Sequence, residues 1–597
     1  MPAIRILKRS RVLDNRPGRS LLETLAAAGL MLPSPCGAAG LCGKCAVAVA
    51  GTNVPPPTEQ ECALFTEEEL ALGRRLACTL FPEADLDVTL PQAATESAIL
   101  SDGYLPPFRL EPALVKKAVR LEPQPAASHA VRLAAALGEK RIPARLLRGL
   151  DWDDDSLTAT FDDGRLVAVQ AGDRAGRRCG LAVDIGTTTV VAALLDLDTG
   201  RELAARSAIN PQTSQGFDVL SRLGFVMEQP EERVCTLQQA VVACVNTLAG
   251  ELAAEAGLPP GAIDTLAVAA NTTMLHLLLG IDPSSLGRAP FTPVFTDAIS
   301  LPAAEIGLTA APGARLYCLP SVSAYISADI VAGMQAAGLA QAPGATLFID
   351  IGTNGEMVLA NGGRLLACSC AAGPALEGMN ISCGMRASLG AIEDVAVTQA
   401  GLVLTTIGNA PPTGLCGSGI LAAIRTFLEI GLILPRGNLV KEQTLAADDP
   451  RRAHLCTWDG KPALRLVAGD SPVVVTQKDI RQVQLAKGAL LSGLYALLEQ
   501  AGLTLDAIDR VLIAGQFGAH LPVASLTGCG IIPRTLGEKV AYLGNTSKSG
   551  ACLALLSQAA RGDMEALAQN VRFLELSTLE GFDRLFVTCL DFPRRAG

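Results

Sequence analysis

One eight-residue pattern occurs twice in this chain, and it limits the possible folds more than any other feature. Leu181-Ala182-Val183-Asp184-Ile185-Gly186-Thr187-Thr188 returns as Leu347-Phe348-Ile349-Asp350-Ile351-Gly352-Thr353-Asn354, 166 residues later. Each copy reads as a short apolar strand ending in an acid, followed by a Gly-Thr turn. Glycine lets backbone approach a phosphate, turn N–H groups and threonine hydroxyls donate to it, and the Asp can hold magnesium through water. One Asp-x-Gly-Thr is weak, because Asp-x-Gly is common in ordinary turns and an Asp can simply end a strand. Two copies at domain spacing imply duplicated halves that clamp a triphosphate between them. A third piece, Val511-Leu512-Ile513-Ala514-Gly515-Gln516-Phe517-Gly518-Ala519-His520, is a hydrophobic strand running into a glycine turn. It suits the sugar and base of a nucleotide.

From residue 181 onward strands, glycine turns and helices alternate. Thr476-Gln477-Lys478-Asp479 reads as a capping box opening a helix whose apolar face runs through Val483, Ala486, Leu490, Leu494 and Leu497 to a stop near Gly502. Such alternation implies a mixed or parallel sheet covered on both faces. At 597 residues and 49% hydrophobic, the chain can bury large cores, and with only 4% aromatics those cores are aliphatic. The length fits about three or four domains.

A second signature lies near the start. Cys36, Cys42 and Cys45 form C-x5-C-x2-C, and Cys78 follows after a long gap. Three clustered thiolates plus a distant fourth suit a 2Fe-2S cluster of the ferredoxin kind. Structural zinc sites more often use two close pairs, so zinc is the lesser reading. Gly37, Gly40 and Gly43 lie where a loop wrapped round a cluster needs permissive backbone, and Cys62 is the rival fourth ligand, without the apolar frame of Cys78. Around these cysteines, residues 4–7 and 12–14 read as pairing strands, residues 21–28 as a helix capped by Ser20, and residues 46–50 as a strand. Glu67-Glu68-Glu69 reads as a solvated helix start. The other thirteen cysteines read mostly as small core hydrophobes; Cys368, Cys370, Cys383 and Cys416 invite a second-cluster reading, but their flanks look like strand and glycine turn, not a thiolate loop. His276 reads as a core histidine, and His520 divides evenly between a nucleotide contact and a turn role.

Residues 91–107 read as a linker. The block 108–180 carries a hairpin signal at Asp163-Gly164 and no chemistry, as befits a spacer or docking domain. A net charge of -10 argues against nucleic acid as a partner. No apolar run reaches the roughly 18 residues of a membrane span. The start lacks a secretory signal, and seventeen cysteines then read as thiols or metal ligands. The expectation is a soluble cytoplasmic protein with no membrane partner.

The ordered trio of glycine turns resembles the acetate kinase, sugar kinase, Hsp70 and actin superfamily, with its phosphate-1, phosphate-2 and adenosine motifs in that order. Asn271-Thr272-Thr273-Met274, Ala372-Gly373-Pro374-Ala375-Leu376-Glu377-Gly378, Gly414-Leu415-Cys416-Gly417-Ser418-Gly419 and residues 479–487, together with the cysteine-bearing front, resemble the reductive activators of corrinoid-dependent enzymes. The resemblance implies a multidomain α/β and α+β fold. It comprises a ferredoxin-like β-grasp domain over residues 1–90, the linker, a small middle domain over 108–180, and a two-lobed actin-like ATPase fold over 181–597. Residues 319–334 and 544–555 would be the two helices connecting the lobes.

The same resemblance implies a function: ATP-dependent return of Co(II) corrinoid proteins of methyltransferase systems to Co(I), one electron passing through the cluster. That step is uphill from a ferredoxin near about −400 mV, and for one electron each ~59 mV costs a factor of about ten. Asp184, Asp350 and Glu377 would be the catalytic groups. Gly186, Thr187, Thr188, Gly352, Thr353, Asn354, Gly355 and Glu356 would hold the phosphates of ATP with Mg2+, and Gly515 and Gly518 would lie beside the nucleoside. The metal ligands would be Cys36, Cys42, Cys45 and Cys78. Implied partners are a corrinoid protein or methyltransferase, an upstream low-potential electron donor and a second copy of the chain. Two other readings stay open: a kinase or hydrolase of the same superfamily with a regulatory ferredoxin domain, and a non-hydrolysing nucleotide-switched electron carrier.

Overall fold

The computed structural model describes the chain apart from residues 1, 8–10, 16–17, 29, 31, 33–39, 41–42, 44, 52, 91–102, 123–126, 149, 151, 153–154, 260, 353, 399–400, 470, 516–517 and 595–597. Cys36, Gly37, Cys42 and Thr353 therefore lie outside the described residues.

At the front, five strands form one sheet in the order Arg11–Asp14, Ala3–Ile6, Leu86–Thr89, Ala46–Ala50, Arg74–Leu76. The first two are antiparallel, and Ala3–Ile6 runs parallel to Leu86–Thr89. Helix Leu21–Ala27 covers the sheet. Its start is closed reciprocally, because Ser20 N donates to Glu23 Oε2 at 2.7 Å and Glu23 N to Ser20 Oγ at 3.2 Å. Ile4, Ile6, Leu21, Leu25, Leu76 and Leu86 build the core between them. This is the β-grasp arrangement.

A three-stranded meander follows, Leu114–Arg120, Ser156–Asp162 and Arg165–Ala171, around a small core of Leu121, Leu133 and Leu157. Its expected hairpin forms at Asp163 (φ 51) and Gly164 (φ 72), the paired positive φ that a two-residue hairpin turn needs.

Two six-stranded sheets make up most of the rest, and they repeat one pattern. In the first, Cys179–Ile185 lies antiparallel to Thr189–Asp196 and parallel to Thr265–Ala270. In the second, Ala345–Ile351 lies antiparallel to Gly355–Asn361 and parallel to Ile508–Ala514. Both central strands are buried along nearly their whole length, as their continuous Leu, Ala, Val, Phe and Ile runs require. The duplicated motif is thus a duplicated fold, the two-lobed actin-like architecture.

The lobes meet along two helices, Ala328–Ala336 and Thr546–Leu556. They cross so closely that a Cβ at Gly550 would overlap Ala332. The first of these helices starts later than expected. Ser323 Oγ accepts from the amides of Tyr325 and Ile326, at 3.2 and 3.0 Å, and this turn delays helix formation until Ala328. The segment 103–111 runs along the second helix: Tyr104 N donates to Leu543 O at 2.8 Å and Gln558 N to Glu111 O at 2.8 Å.

Candidate functional site

The register of the second sheet sets Asp350 directly opposite Glu356 on the neighbouring strand and beside Ala514 on the other. Two acids facing each other across neighbouring strands repel, and each carboxyl is raised above its ordinary value. Burial, then Asp329, then Asp184 push the Asp350 carboxyl up to about 7. Glu356 is raised well above the ordinary range by burial and by Asp329 and Asp350, while Ser369 Oγ donates to it at 3.3 Å. Asp184 comes from the first sheet. Its carboxylate accepts from Asn545 Nδ2 at 2.8 Å and Ser547 Oγ at 2.7 Å, at the start of the second connecting helix, and burial raises its pKa against those bonds. Asp329, in the first turn of the other connecting helix, is pushed to about 7 by burial and by Asp184. Both duplicated aspartates therefore share one electrostatic site between the lobes.

Glu377 does not figure among the neighbours that raise those four carboxyls. It is buried in the short turn Pro374–Glu377, and its electrostatic neighbour is Arg386, whose guanidinium stacks over Phe217 of the other lobe at 5.4 Å. Asp329, Asn545 and Ser547 were not singled out from the sequence. The run Asn545-Thr546-Ser547, a cluster of capping residues just after a strand, was the signal available for the last two.

The turns lie as follows. In the first, Asn210 Nδ2 donates to Gly186 O at 2.8 Å, Arg222 Nη2 to Thr187 O, and Asn210 N to Thr188 O at 2.9 Å; Asn271 Nδ2 donates to Thr187 Oγ1 at 3.0 Å. In the second, Gly352 N donates to Asn354 O at 2.9 Å, Asn354 is exposed, and Gly355 is already buried as the first residue of its strand. In the third, Gly515 (φ 90) lies against Asp350 Oδ1, which joins the adenosine-like segment to the second aspartate. Gly518 is buried at the head of the short turn Gly518–His520, and His520 is exposed. Among the described residues no three His, Cys, Asp or Glu side chains converge closely enough to hold a metal ion by themselves. Carboxylates that raise one another's pKa still favour a cation held through water.

In the front domain Cys45 and Cys78 are buried with their sulfurs 3.3 Å apart. The Cys45 contact lowers the Cys78 thiol to about 7, against burial and with help from the Gly40 amide. That donor set, two close sulfurs of which one ionises easily, fits an iron ligand pair. Gly40 and Gly43 take φ of 73 and 69, the loop conformation expected of them. Cys62 is exposed. Behind Cys78, the Arg75 guanidinium and Glu61 form a buried pair at 2.9 Å, and Glu61 Oε1 accepts from Leu76 N at 2.7 Å. The remaining cysteines named from the sequence serve separate contacts: Cys368 and Cys370 share a buried strand face, while Cys383 and Cys416 donate to Pro472 O and Ile392 O. His276 is buried, with Nδ1 2.7 Å from Thr272 O, Nε2 accepting from Val294 N at 3.1 Å, and its ring stacked on Phe295. It is the core histidine expected. Among the described residues no helix is long and apolar enough to cross a membrane.

Residues 4–83 match the family described as 2Fe-2S iron-sulfur cluster binding domain, residues 179–342 the RACo middle region, and residues 344–596 the C-terminal domain of RACo, the ASKHA domain. The corrinoid activation enzyme RamQ of Eubacterium limosum is 34% identical over 404 residues, covering 67% of this chain and 68% of that protein. The Co(II) methylated amine-specific corrinoid protein reductase of Methanosarcina barkeri is 24% identical over 451 residues, 69% of this chain and 77% of that one. A solved structure, of a reductive activator for corrinoid, iron-sulfur protein, superposes with a TM-score of 0.69 at 32% identity, covering 100% of this chain and 99% of that chain.

Proposed function

Because the chain belongs to the family of reductive activators of corrinoid proteins, we propose that it uses ATP to return Co(II) corrinoid proteins of methyltransferase systems to Co(I). One observation carries this reading. A single chain holds a buried sulfur pair at Cys45 and Cys78 and, between two duplicated lobes, a shared site of Asp184, Asp329, Asp350 and Glu356.

In this reading Cys36, Cys42, Cys45 and Cys78 hold a 2Fe-2S cluster, which supplies one-electron chemistry when bound. The turns at 186–188 and 352–354 grip the phosphates, and Gly515 and Gly518 flank the nucleoside. Asp184 and Asp350 orient hydrated Mg2+ and the attacking water. Asp350, poised near neutrality, is the better placed to accept that water's proton. Glu377, set apart beside Arg386, is the least supported of the carboxylates named from the sequence. Because the site takes groups from both lobes and from both connecting helices, occupancy by nucleotide biases how the lobes close. That closure is the element able to offset an uphill electron step.

The reading includes the partition into residues 1–90, 91–107, 108–180 and 181–597, an upstream low-potential donor, a homodimer and a cytoplasmic setting. Its test is direct. Anaerobic, iron-replete protein is mixed with a Co(II) corrinoid protein and a chemical reductant, and the visible spectrum of cobalt is followed with and without ATP. Growth of the Co(I) band only with ATP is the expected result. Unchanged Co(II) with intact cluster and ATP present would refute the reading.

A further inference from the structure

Asn271-Thr272-Thr273-Met274, a motif with no chemical role so far, lies beneath the first phosphate turn beside a buried arginine. The carbonyls of Gly186, Thr187 and Thr188 are all held from the protein side, by Asn210 Nδ2, Arg222 Nη2 and Asn210 N. A trans peptide sets its N–H opposite its C=O. Anchoring the carbonyls of Gly186 and Thr187 from below therefore aims the amides of Thr187 and Thr188 away from the protein. Neither amide meets a protein acceptor among the described residues. Successive N–H groups turned outward form a concavity that takes an anion.

Arg222 sets this floor apart from an ordinary turn. Its side chain is 0% exposed. The guanidinium also donates to Gly216 O at 2.8 Å, to Gln212 Oε1 at 3.2 Å and to Met274 Sδ at 2.9 Å. It pairs with no carboxylate among the described residues; Asp218 acts only from a distance, and burial draws the pKa down to about 9. A buried cation without a counter-charge is costly. Its bond to Thr187 O is charge-assisted, which polarises the 187–188 peptide and makes the Thr188 N–H a stronger donor on the opposite side.

We propose that Arg222 is the positioning residue of the phosphate site: from beneath the 186–188 turn it fixes the Thr187 and Thr188 amides toward the nucleotide's phosphates, and those phosphates are its counter-charge. The proposal rests on the nucleotide reading above and deepens it, because it assigns recognition of phosphate charge to the first lobe. In this arrangement Arg222 acts through the turn it holds.

The test compares binding of ATP and AMP to the full chain at equilibrium, in the wild type, Arg222→Met and Arg222→Lys. Arg222→Met is expected to weaken ATP about tenfold or more while AMP shifts by less than about twofold, so that the ratio collapses. Arg222→Lys, which keeps the cation but loses the fork, should recover part of it. An unchanged ratio in Arg222→Met, or a parallel loss of both nucleotides, would overturn the proposal, since a merely structural arginine gives one or the other. Should Arg222→Met fail to fold, thermal shifts of the wild type decide. Tripolyphosphate should raise the melting temperature more than orthophosphate does; no rise where ATP gives one overturns the proposal. A wild type that binds neither nucleotide overturns the nucleotide reading itself, and this inference with it.

Discussion

Asp329 and Asp350 keep their protons to about pH 7 because burial disfavours their charged forms and nearby carboxylates add to the penalty. Raised carboxyl values contribute stability that is complete below the ordinary Asp value near 4 and is lost as pH rises through about 7. The melting temperature of nucleotide-free protein should therefore fall from pH 5 to pH 8, and Mg-ATP should stabilise more at pH 8 than at pH 5. A flat thermal-shift profile would contradict the shared acidic site. Asp350→Asn should cut phosphate release by roughly a hundredfold or more if its carboxylate handles the water's proton. In the front domain, burial pushes the Glu61 carboxyl up, but Arg75 and the amides of Thr58 and Leu76 outweigh it and hold it below its usual value. Removing one member of a buried pair leaves a bare charge and costs about 3–5 kcal/mol. Arg75→Met should thus accelerate loss of visible cluster absorbance relative to wild type.

Among elements, the connecting helices depend on the absence of a side chain at Gly550, which lets Thr546–Leu556 seat on Ala332. Gly550→Val should destabilise the ATPase lobes by about 1–3 kcal/mol or more, read as a lower urea midpoint. The two candidates for the fourth cluster ligand also divide by element. Cys78 follows strand Arg74–Leu76 into the core beside Cys45, whereas Cys62 sits exposed on helix Glu59–Leu64. Cys78→Ser should abolish iron binding and Cys62→Ser should leave it intact, by iron content and visible spectrum. Elements with strong local signals were legible. Thr476 caps Gln477–Ala501, with Thr476 N on Asp479 Oδ2 at 2.9 Å, and Gly502 ends it at φ 66. The start of the first connecting helix was not, because a turn made by Ser323, five residues upstream, competes with it and leaves no mark in apolar periodicity.

Across the whole molecule, the segment leading from the front domain passes over the candidate site. A Cβ at Gly103 would overlap Asn545 O and Ser549 Oγ, and Asn545 Nδ2 is the group that holds Asp184. Helix Leu21–Ala27 packs against the turn Pro211–Ser214, whose Gln212 accepts from Arg222. Leu22 N donates to Ala77 O at 2.8 Å, next to Cys78. Thus the cysteine domain touches the turn whose Gln212 accepts from Arg222, the arginine held beneath the first phosphate turn. Gly103→Val should weaken ATP binding several-fold through Asn545 while leaving the visible cluster spectrum unchanged. Equal binding in variant and wild type would show that the tether rests on the site without supporting it.

Local chemistry was enough to specify the duplicated strand-and-turn, the cysteine spacing, the capped helices and the Asp163-Gly164 hairpin, because each depends on residues close together along the chain. Tertiary structure alone decided which charges meet. Asp329 and Asn545 join Asp184 only when two helices, more than two hundred residues apart, cross at Gly550, and Arg386 meets Glu377 only through packing. Arg222 looks like an ordinary helical arginine until packing strips away its water. Desolvation and long-range contact set the electrostatics of this site, and neither has a period or a spacing that a linear reading can find.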